Sequence, residues 1–515
     1  MMVRRIFLWI ALTAISSVAA QDNVGEESTV VYNNDYFAQW SPVTAQDMID
    51  RIPGLTQGGS SRGGFGSSRG GFSGFRGGSR GGRGFGNGNR GSEILINGKR
   101  TAGKNNSTGT QLARITSDQV EYIEIIRGTS GELDVRGSGQ VVNVVLTDVF
   151  SDVSVQYEIS GQQFEDNNIA PRTNVSVSGT RGSFDYQIQG RIGENRDVTT
   201  YKEKSVLGDF SPNDFIYRKD IEDGGGYGLS ANVGYEISSN SSARLSGQFT
   251  EGTNGNDITR KTTNLRVLPA VDSYQREDIN GEVGNWELGG DYEYNFARGD
   301  RFKILFISNS FTPERLRERW NLTGPVSENK NLFLDSKSTT QERIIRSSYT
   351  LDLFSGNQDI EIGAERAQTT LDSSLVLGMP NENGIASEAV GGLVPVAIPN
   401  AKSTVEEMRY EPFIIHNWIF NPRMSLESSL LYEDSQISQK GGVSKKRNYD
   451  YIKPKLDFRY DLTPTIQLRG TMEKIVQQLS FNDFVAALDT RDEDRDVQFG
   501  NENLKQEWYW NYEFN

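Results

Sequence analysis

From Ser151 onward the chain alternates apolar and polar residues one by one. Leu229, Ala231, Val233, Tyr235 and Ile237 fall on one face of an extended strand, and Ser230, Asn232, Gly234 and Glu236 on the other. Trp286, Leu288, Gly290, Tyr292, Tyr294 and Phe296 likewise stand opposite Glu287, Gly289, Asp291, Glu293 and Asn295, and shorter sets occur at 243–249, 424–432 and 466–472. A period of two marks strands with one apolar and one polar face. About fourteen such strands can be counted, each near the ~9–11 residues that cross a tilted barrel wall.

The links between them carry the stronger signal. Long connections are expected at roughly 195–225, 252–282, 312–340 and 369–405, and tight ones at 181–183, 238–241, 297–300, 355–358, 421–422 and 463–464. Long loops on one side and short turns on the other suit a membrane-spanning barrel, whereas a soluble sandwich or propeller has no reason to alternate them. Aromatic endings just before tight turns (Tyr292, Tyr294 and Phe296; Trp418 and Phe420) suit an interfacial girdle.

Ahead of these strands the pattern is mixed. Ser28, Thr29, Val30, Val31 and Tyr32 form a β-prone island in polar sequence. A short helix is predicted over 44–51, with Thr44 and Asp47 at capping-box spacing and Pro53-Gly54 as its stop. Strands are predicted at 94–99, 120–126 and 140–146, so that residues 29–147 make a small mixed domain. Between helix and first strand, residues 58–91 hold 16 glycines, six arginines and four phenylalanines, with Arg-Gly-Gly at Arg62, Arg69, Arg76 and Arg80. That composition cannot bury enough apolar surface to offset its ordering entropy, and a flexible loop is expected.

Composition narrows the class. Residues 1–20 read as a secretory signal peptide: two early arginines, a short apolar core and small residues before Gln21. No later run of eighteen apolar residues exists, so any membrane crossing must be made by strands. The absence of cysteine excludes disulfides and thiolate metal sites. A net charge of −14 argues against nucleic-acid binding, and export sets the Arg-Gly-Gly run apart from cellular RNA. No Gly-x-Ser-x-Gly, His-Glu-x-x-His or phosphate loop ending in Gly-Lys-Ser/Thr is found, so no catalytic residue, metal site or cofactor is expected. The single histidine, His416, lies on a predicted strand, which speaks against a bis-histidine haem site.

Several motifs together resemble the TonB-dependent outer-membrane receptors, in which a plug domain fills a 22-stranded barrel. Met48-Ile49-Asp50-Arg51-Ile52-Pro53-Gly54-Leu55 resembles the family's helix ending in Pro-Gly, and 94–100 its strand running into a Gly-x-Arg turn. The best match is Ile123-Glu124-Ile125-Ile126-Arg127-Gly128-Thr129-Ser130, followed by Asp134-Val135-Arg136-Gly137-Ser138-Gly139 and Val142-Asn143-Val144-Val145. Gly500-Asn501-Glu502-Asn503-Leu504-Lys505-Gln506-Glu507 resembles the barrel motif Gly-Asn-Pro-x-Leu-x-Pro-Glu with both prolines replaced.

The resemblance implies a mainly β protein. Its parts are a signal peptide (1–20), an N-terminal extension (21–43), a small α+β plug (44–147) with the Gly/Arg-rich insert (58–91), and an antiparallel transmembrane β-barrel over 151–515. That barrel is expected to be incomplete, with about 14 of 22 strands, as in a fragment or truncated product. The implied activity is proton-gradient-energised uptake of a scarce nutrient such as a siderophore, vitamin or oligosaccharide across the outer membrane of a Gram-negative bacterium. A passive porin, an adhesin or a non-functional receptor fragment is the alternative. The implied partners are the periplasmic domain of TonB with its inner-membrane energising complex, outer-membrane lipid and an extracellular ligand. Ser28, Thr29, Val30, Val31 and Tyr32 are the candidate TonB box, Arg127 and Arg136 are candidate plug arginines, and Glu507 is their candidate barrel carboxylate. Ligand contacts are expected from the long loops and from the plug apex at 99–107.

Overall fold

A computed structural model describes residues 29–52, 93–98, 112, 115–127, 140–147, 153–323, 327–354, 357–421, 423–442, 444–463, 466–488, 497–498, 501 and 503–515. The expected signal peptide, Ser28, the insert 58–91, the apex 99–107 and Arg136 lie outside the described residues.

The N-terminal part runs β1 (Thr29–Asn33), α1 (Asn34–Phe37), α2 (Ala45–Ile49), β2 (Glu93–Ile96), β3 (Val120–Arg127) and β4 (Gln140–Leu146). The sheet order is β1-β3-β4-β2, antiparallel except for the parallel β2–β4 pair. Helix α2 starts as its sequence dictates: Thr44 Oγ1 accepts from the Asp47 amide (3.2 Å), and the Asp47 carboxylate accepts from the Thr44 amide (3.0 Å). Phe37, Ala45, Met48 and Ile49 then pack on Ile123, Ile125, Val142 and Val144, all buried, to make the domain's core. Thr44→Ala is expected to cost this domain about 1 kcal/mol, readable as faster hydrogen exchange of the α2 amides in the intact protein. Helix α1, four residues long, is too short for the sequence to show a helical period.

The remaining strands are β5 (Ser154–Gln163), β6 (Ile169–Arg181), β7 (Phe184–Val206), β8 (Pro212–Ser238), β9 (Ser241–Asn264), β10 (Val271–Asn295), β11 (Arg301–Leu322), β12 (Glu328–Leu353), β13 (Gln358–Met379), β14 (Val394–Val396), β15 (Lys402–Asn421), β16 (Met424–Gly441), β17 (Lys445–Thr463), β18 (Ile466–Val476), β19 (Ala487–Leu488), β20 (Val497–Gln498) and β21 (Trp508–Phe514). Fourteen of them follow one another in a single antiparallel sheet from β5 to β21, with β14 paired on β13 at the side. Among the described residues β5 and β21 each pair on one side only. The β6–β7, β8–β9, β10–β11, β12–β13, β15–β16 and β17–β18 links are the tight ones expected.

The long links differ from expectation. Strands β7 to β13 and β15 to β17 run for 18–27 residues, so most of 195–225, 252–282 and 312–340 is strand. The neighbouring sheet strands with long stretches of chain between them are β13 and β15 (380–401) and β18 and β21 (477–507). A strand of 27 residues rises about 90 Å, far beyond the ~25 Å apolar band of a membrane barrel. The apolar alternation read from sequence covers only the half of each strand next to its tight turn: on β8 it runs from Tyr227 to Ile237 and gives way to Gly225 and Asp223. Beyond that point both faces are polar enough to imitate loop sequence.

The β5–β6 link at the far end is closed electrostatically. The Arg196 guanidinium, 2.6 Å from Asp166, together with the Asn168 amide holds that carboxyl down to about 2. Because this value lies below the ~3.9 of an unfolded chain, the stabilisation is present above about pH 4 and is lost as pH falls through about 2. Pepsin cleavage at the Phe164 turn should therefore rise across that window in the natural chain, while Asp166→Asn should be cleaved as readily at its top as at its bottom.

Candidate ligand-facing site on the buried wall of the large sheet

In the half of the sheet next to the tight turns, the alternation sorts side chains against the usual rule. The exposed face carries Tyr227, Leu229, Tyr235, Ile237, Trp286, Leu288, Ile414 and Trp418. The buried face carries Glu287, Asp291, Glu293, Arg346, Glu361, Glu365, Glu407, Arg409, Glu411, Glu427, Glu433 and Asp457. A sheet with apolar residues outside and ionised ones inside is stable only where the outer medium is hydrocarbon. Aromatic contacts near the tight turns, Tyr294 on Phe296 (4.8 Å) and Trp418 on Phe420 (4.0 Å), place rings where such a wall meets water. His416 stands on this outer face, beside Trp418 and 3.4 Å from the Gln358 amide oxygen.

Buried charges need partners, and here they have them. Arg409, 1% exposed, meets Glu365 Oε1 at 3.1 Å and Glu411 Oε2 at 3.3 Å. Lys453 bridges Glu411 and Glu433, and Arg346 reaches Glu365 at 3.9 Å while lying 4.1 Å over the Phe413 ring. The network joins β12, β13, β15, β16 and β17 across the wall.

Farther from the tight turns the same face bears a row of cations that sequence reading missed. Arg315, Arg317 and Arg319 alternate along β11. Arg317 grips Glu277 with both fork nitrogens (2.7 and 3.0 Å), and Arg319 Nε donates to Asn331 at 3.0 Å. Arg218 pairs with Asp220 at 2.7 Å on β8, and the buried Arg315 Nε has no hydrogen-bond partner. Arg-x-Arg-x-Arg was the available signal, hidden by reading 312–340 as a loop.

A third feature is the segment after β18. Phe481, Phe484 and Val485 pack on Leu371, Val405 and Ile437, and Ala486 on Leu332, Leu334, Leu375 and Leu377. By alternation these wall residues share the face of Glu365 and Arg409, so residues 479–486 form a strap folded onto the inner wall. Leu504 joins the same cluster.

The small N-terminal domain also lies against this wall, through a 2.9 Å hydrogen bond from Gln119 to Ser178 on β6. Within it, Asn143 fixes the turn after β2, accepting from the Gly98 amide (2.7 Å) and donating to Glu124 (2.6 Å). Thr29, Val30, Val31 and Tyr32 lie in edge strand β1, paired with β3. Arg127 is the last residue of β3. Glu507 is exposed just ahead of β21, where its carbonyl accepts from the Gln477 amide.

Fold and wall together define a transmembrane β-barrel protein with a charged interior and a separate folded domain set against it. Residues 229–515 match the family described as TonB dependent receptor-like, beta-barrel, and residues 21–142 match the TonB-dependent Receptor Plug Domain. The chain belongs to the TonB-dependent receptor family, whose members sit in the Gram-negative outer membrane and transport rather than catalyse.

Solved structures to which this chain is similar include the siderophore receptor PiuA from Acinetobacter baumannii (12% identity, 88% of this chain and 65% of that one, TM-score 0.35). Others are the copper transporter OprC (12%, 90% and 65%, TM-score 0.43) and a double mutant of the Serratia marcescens hemophore receptor HasR with its hemophore HasA and heme (10%, 95% and 69%, TM-score 0.39). The chain spans 65% of the length of the first two. No curated protein matches it.

Proposed function

We propose that this protein takes up a scarce nutrient across the outer membrane, with energy delivered by the periplasmic domain of TonB. The observation that carries the reading is the charged inner wall with a folded plug set against it: an open porin has no use for a domain in its path. In this reading cargo enters from the side opposite the tight turns and meets the row Arg315, Arg317 and Arg319, whose fork geometry suits carboxylate or other oxyanion groups. Siderophore, vitamin and oligosaccharide cargoes all stay within the proposal.

TonB would engage residues 28–32 by strand addition, through main-chain hydrogen bonds. Support comes from the position of β1: it is an edge strand, and Val30 and Val31 are exposed. Arg127 or Arg136 paired with Glu507 would serve as a releasable tie between plug and wall, since Glu507 is exposed and an exposed pair adds little net stability.

Val30→Pro tests the reading, because proline removes a ladder donor. Binding of purified TonB periplasmic domain to the full chain in lipid vesicles should fall at least ten-fold, with hydrogen exchange at β3 and β4 unchanged. Unaltered binding would sink the proposed box. Nutrient uptake that persists after the inner-membrane proton gradient is collapsed would favour the passive porin instead.

A further inference from the structure

The strap rests on Gln439 and Arg447, whose hydrogen bonding is incomplete, and the chain just beyond it holds a third such side chain, Gln506. Gln439, 3% exposed, donates its amide to the Phe484 carbonyl (2.9 Å), but its oxygen is buried with no partner. Arg447 stacks 5.3 Å over the Phe484 ring and donates through Nη1 to the Leu504 carbonyl at 3.5 Å, which Tyr449 Oη also reaches at 3.3 Å. Its Nη2 is buried and has no partner. Gln506, two residues beyond Leu504 and 6% exposed, has neither amide atom bonded.

Such groups are costly when left unpaired, more so when charged, so their collection near one short segment calls for an occupant. On the neighbouring strands Arg409, Lys453, Lys455 and Arg459 each have a carboxylate within 4 Å. Arg447 has no carboxylate partner among the described residues. A guanidinium held by a ring and a carbonyl, with one fork nitrogen unused and the unused amide donor of Gln506 two residues along the chain from that carbonyl, matches an oxyanion.

We infer that Arg447, with Gln506, forms an oxyanion subsite beneath the strap, taking one carboxylate or phosphate group of a ligand. Gln506 stands where the family motif has proline, and proline has no side-chain donor to offer. The inference rests on this wall facing a ligand-accessible interior, but not on energised transport, and its test uses no TonB.

Because the chain has no cysteine, a spin label at Asn482→Cys, exposed on the strap, reports on the segment alone. Full-length protein in lipid vesicles is titrated with citrate, with inorganic phosphate and with neutral glycerol. Expected is a saturable change with citrate, phosphate or both and none with glycerol, and an apparent Kd raised at least ten-fold in Arg447→Gln with an unchanged ligand-free spectrum. Citrate without phosphate assigns the subsite to carboxylates, and the reverse to phosphates. If Arg447→Gln unseats the strap, Gln506→Leu decides: it keeps the guanidinium and should weaken binding several-fold. No saturable response to either anion, or equal affinity in the natural chain and both variants, overturns the subsite while leaving the transport proposal standing.

Discussion

Arg409→Met is expected to cost the folded barrel about 3–5 kcal/mol, the penalty for breaking a buried ion pair by deleting one partner. Methionine fills most of the volume, so the loss is electrostatic. Glu365 and Glu411, both buried, would lose the cation that lies 3.1 and 3.3 Å from them. Lys453 remains for Glu411 but is already shared with Glu433. Arg346, at 3.9 Å, is too far to replace the lost contact at Glu365. The measurement is the urea midpoint of the loss of heat-modifiable gel mobility, in protein refolded into lipid vesicles. Adding Glu365→Gln and Glu411→Gln should recover most of the difference, because a neutral buried amide costs less than a lone carboxylate. A midpoint within experimental scatter of the natural chain would show that water reaches this network and that the wall is not dry.

Gly226→Val should be nearly as damaging for a steric reason. A Cβ at Gly226 would lie 2.6 Å from the Glu251 carbonyl oxygen and 3.0 Å from Gly252 Cα, and at neighbouring Gly224 it would lie 2.2 Å from the Thr253 oxygen. These atoms are backbone of β9, so relief requires the β8–β9 pairing itself to open. The expected result is failure of this hairpin to close and loss of the folded, heat-modifiable form. Gly284→Val, on β10 with nothing within 4 Å of its would-be Cβ, is the matched control and should refold normally. Equal refolding of the two variants would mean that the strands do not approach so closely at Gly226.

The family's motifs, the period-two alternation and the tight turns were all legible in the sequence because each is set by local chemistry. Pleating sends neighbouring side chains to opposite faces, and Thr44 with Asp47 can cap a helix wherever that helix lies. The apolar spans were legible for the same reason: a residue facing lipid must be apolar along the whole membrane thickness, which writes a regular code. Above the membrane that code stops, and the outer halves of β7 to β12 were read as loops although their backbones continue the ladder. The arginine row went unseen as part of the same error.

Sequence by itself thus determined that this is a strand-built membrane wall preceded by a small mixed domain, since both conclusions follow from periods and caps spanning a few residues. Only the tertiary structure decided which charges meet. Arg409 and Glu365 are 44 residues apart, and Gln439 and Phe484 are 45 apart. Such pairs are brought together by strand register and by the fold of the strap. Register is a property of two chain segments at once, and the alternation of either strand alone is compatible with every shift of two residues.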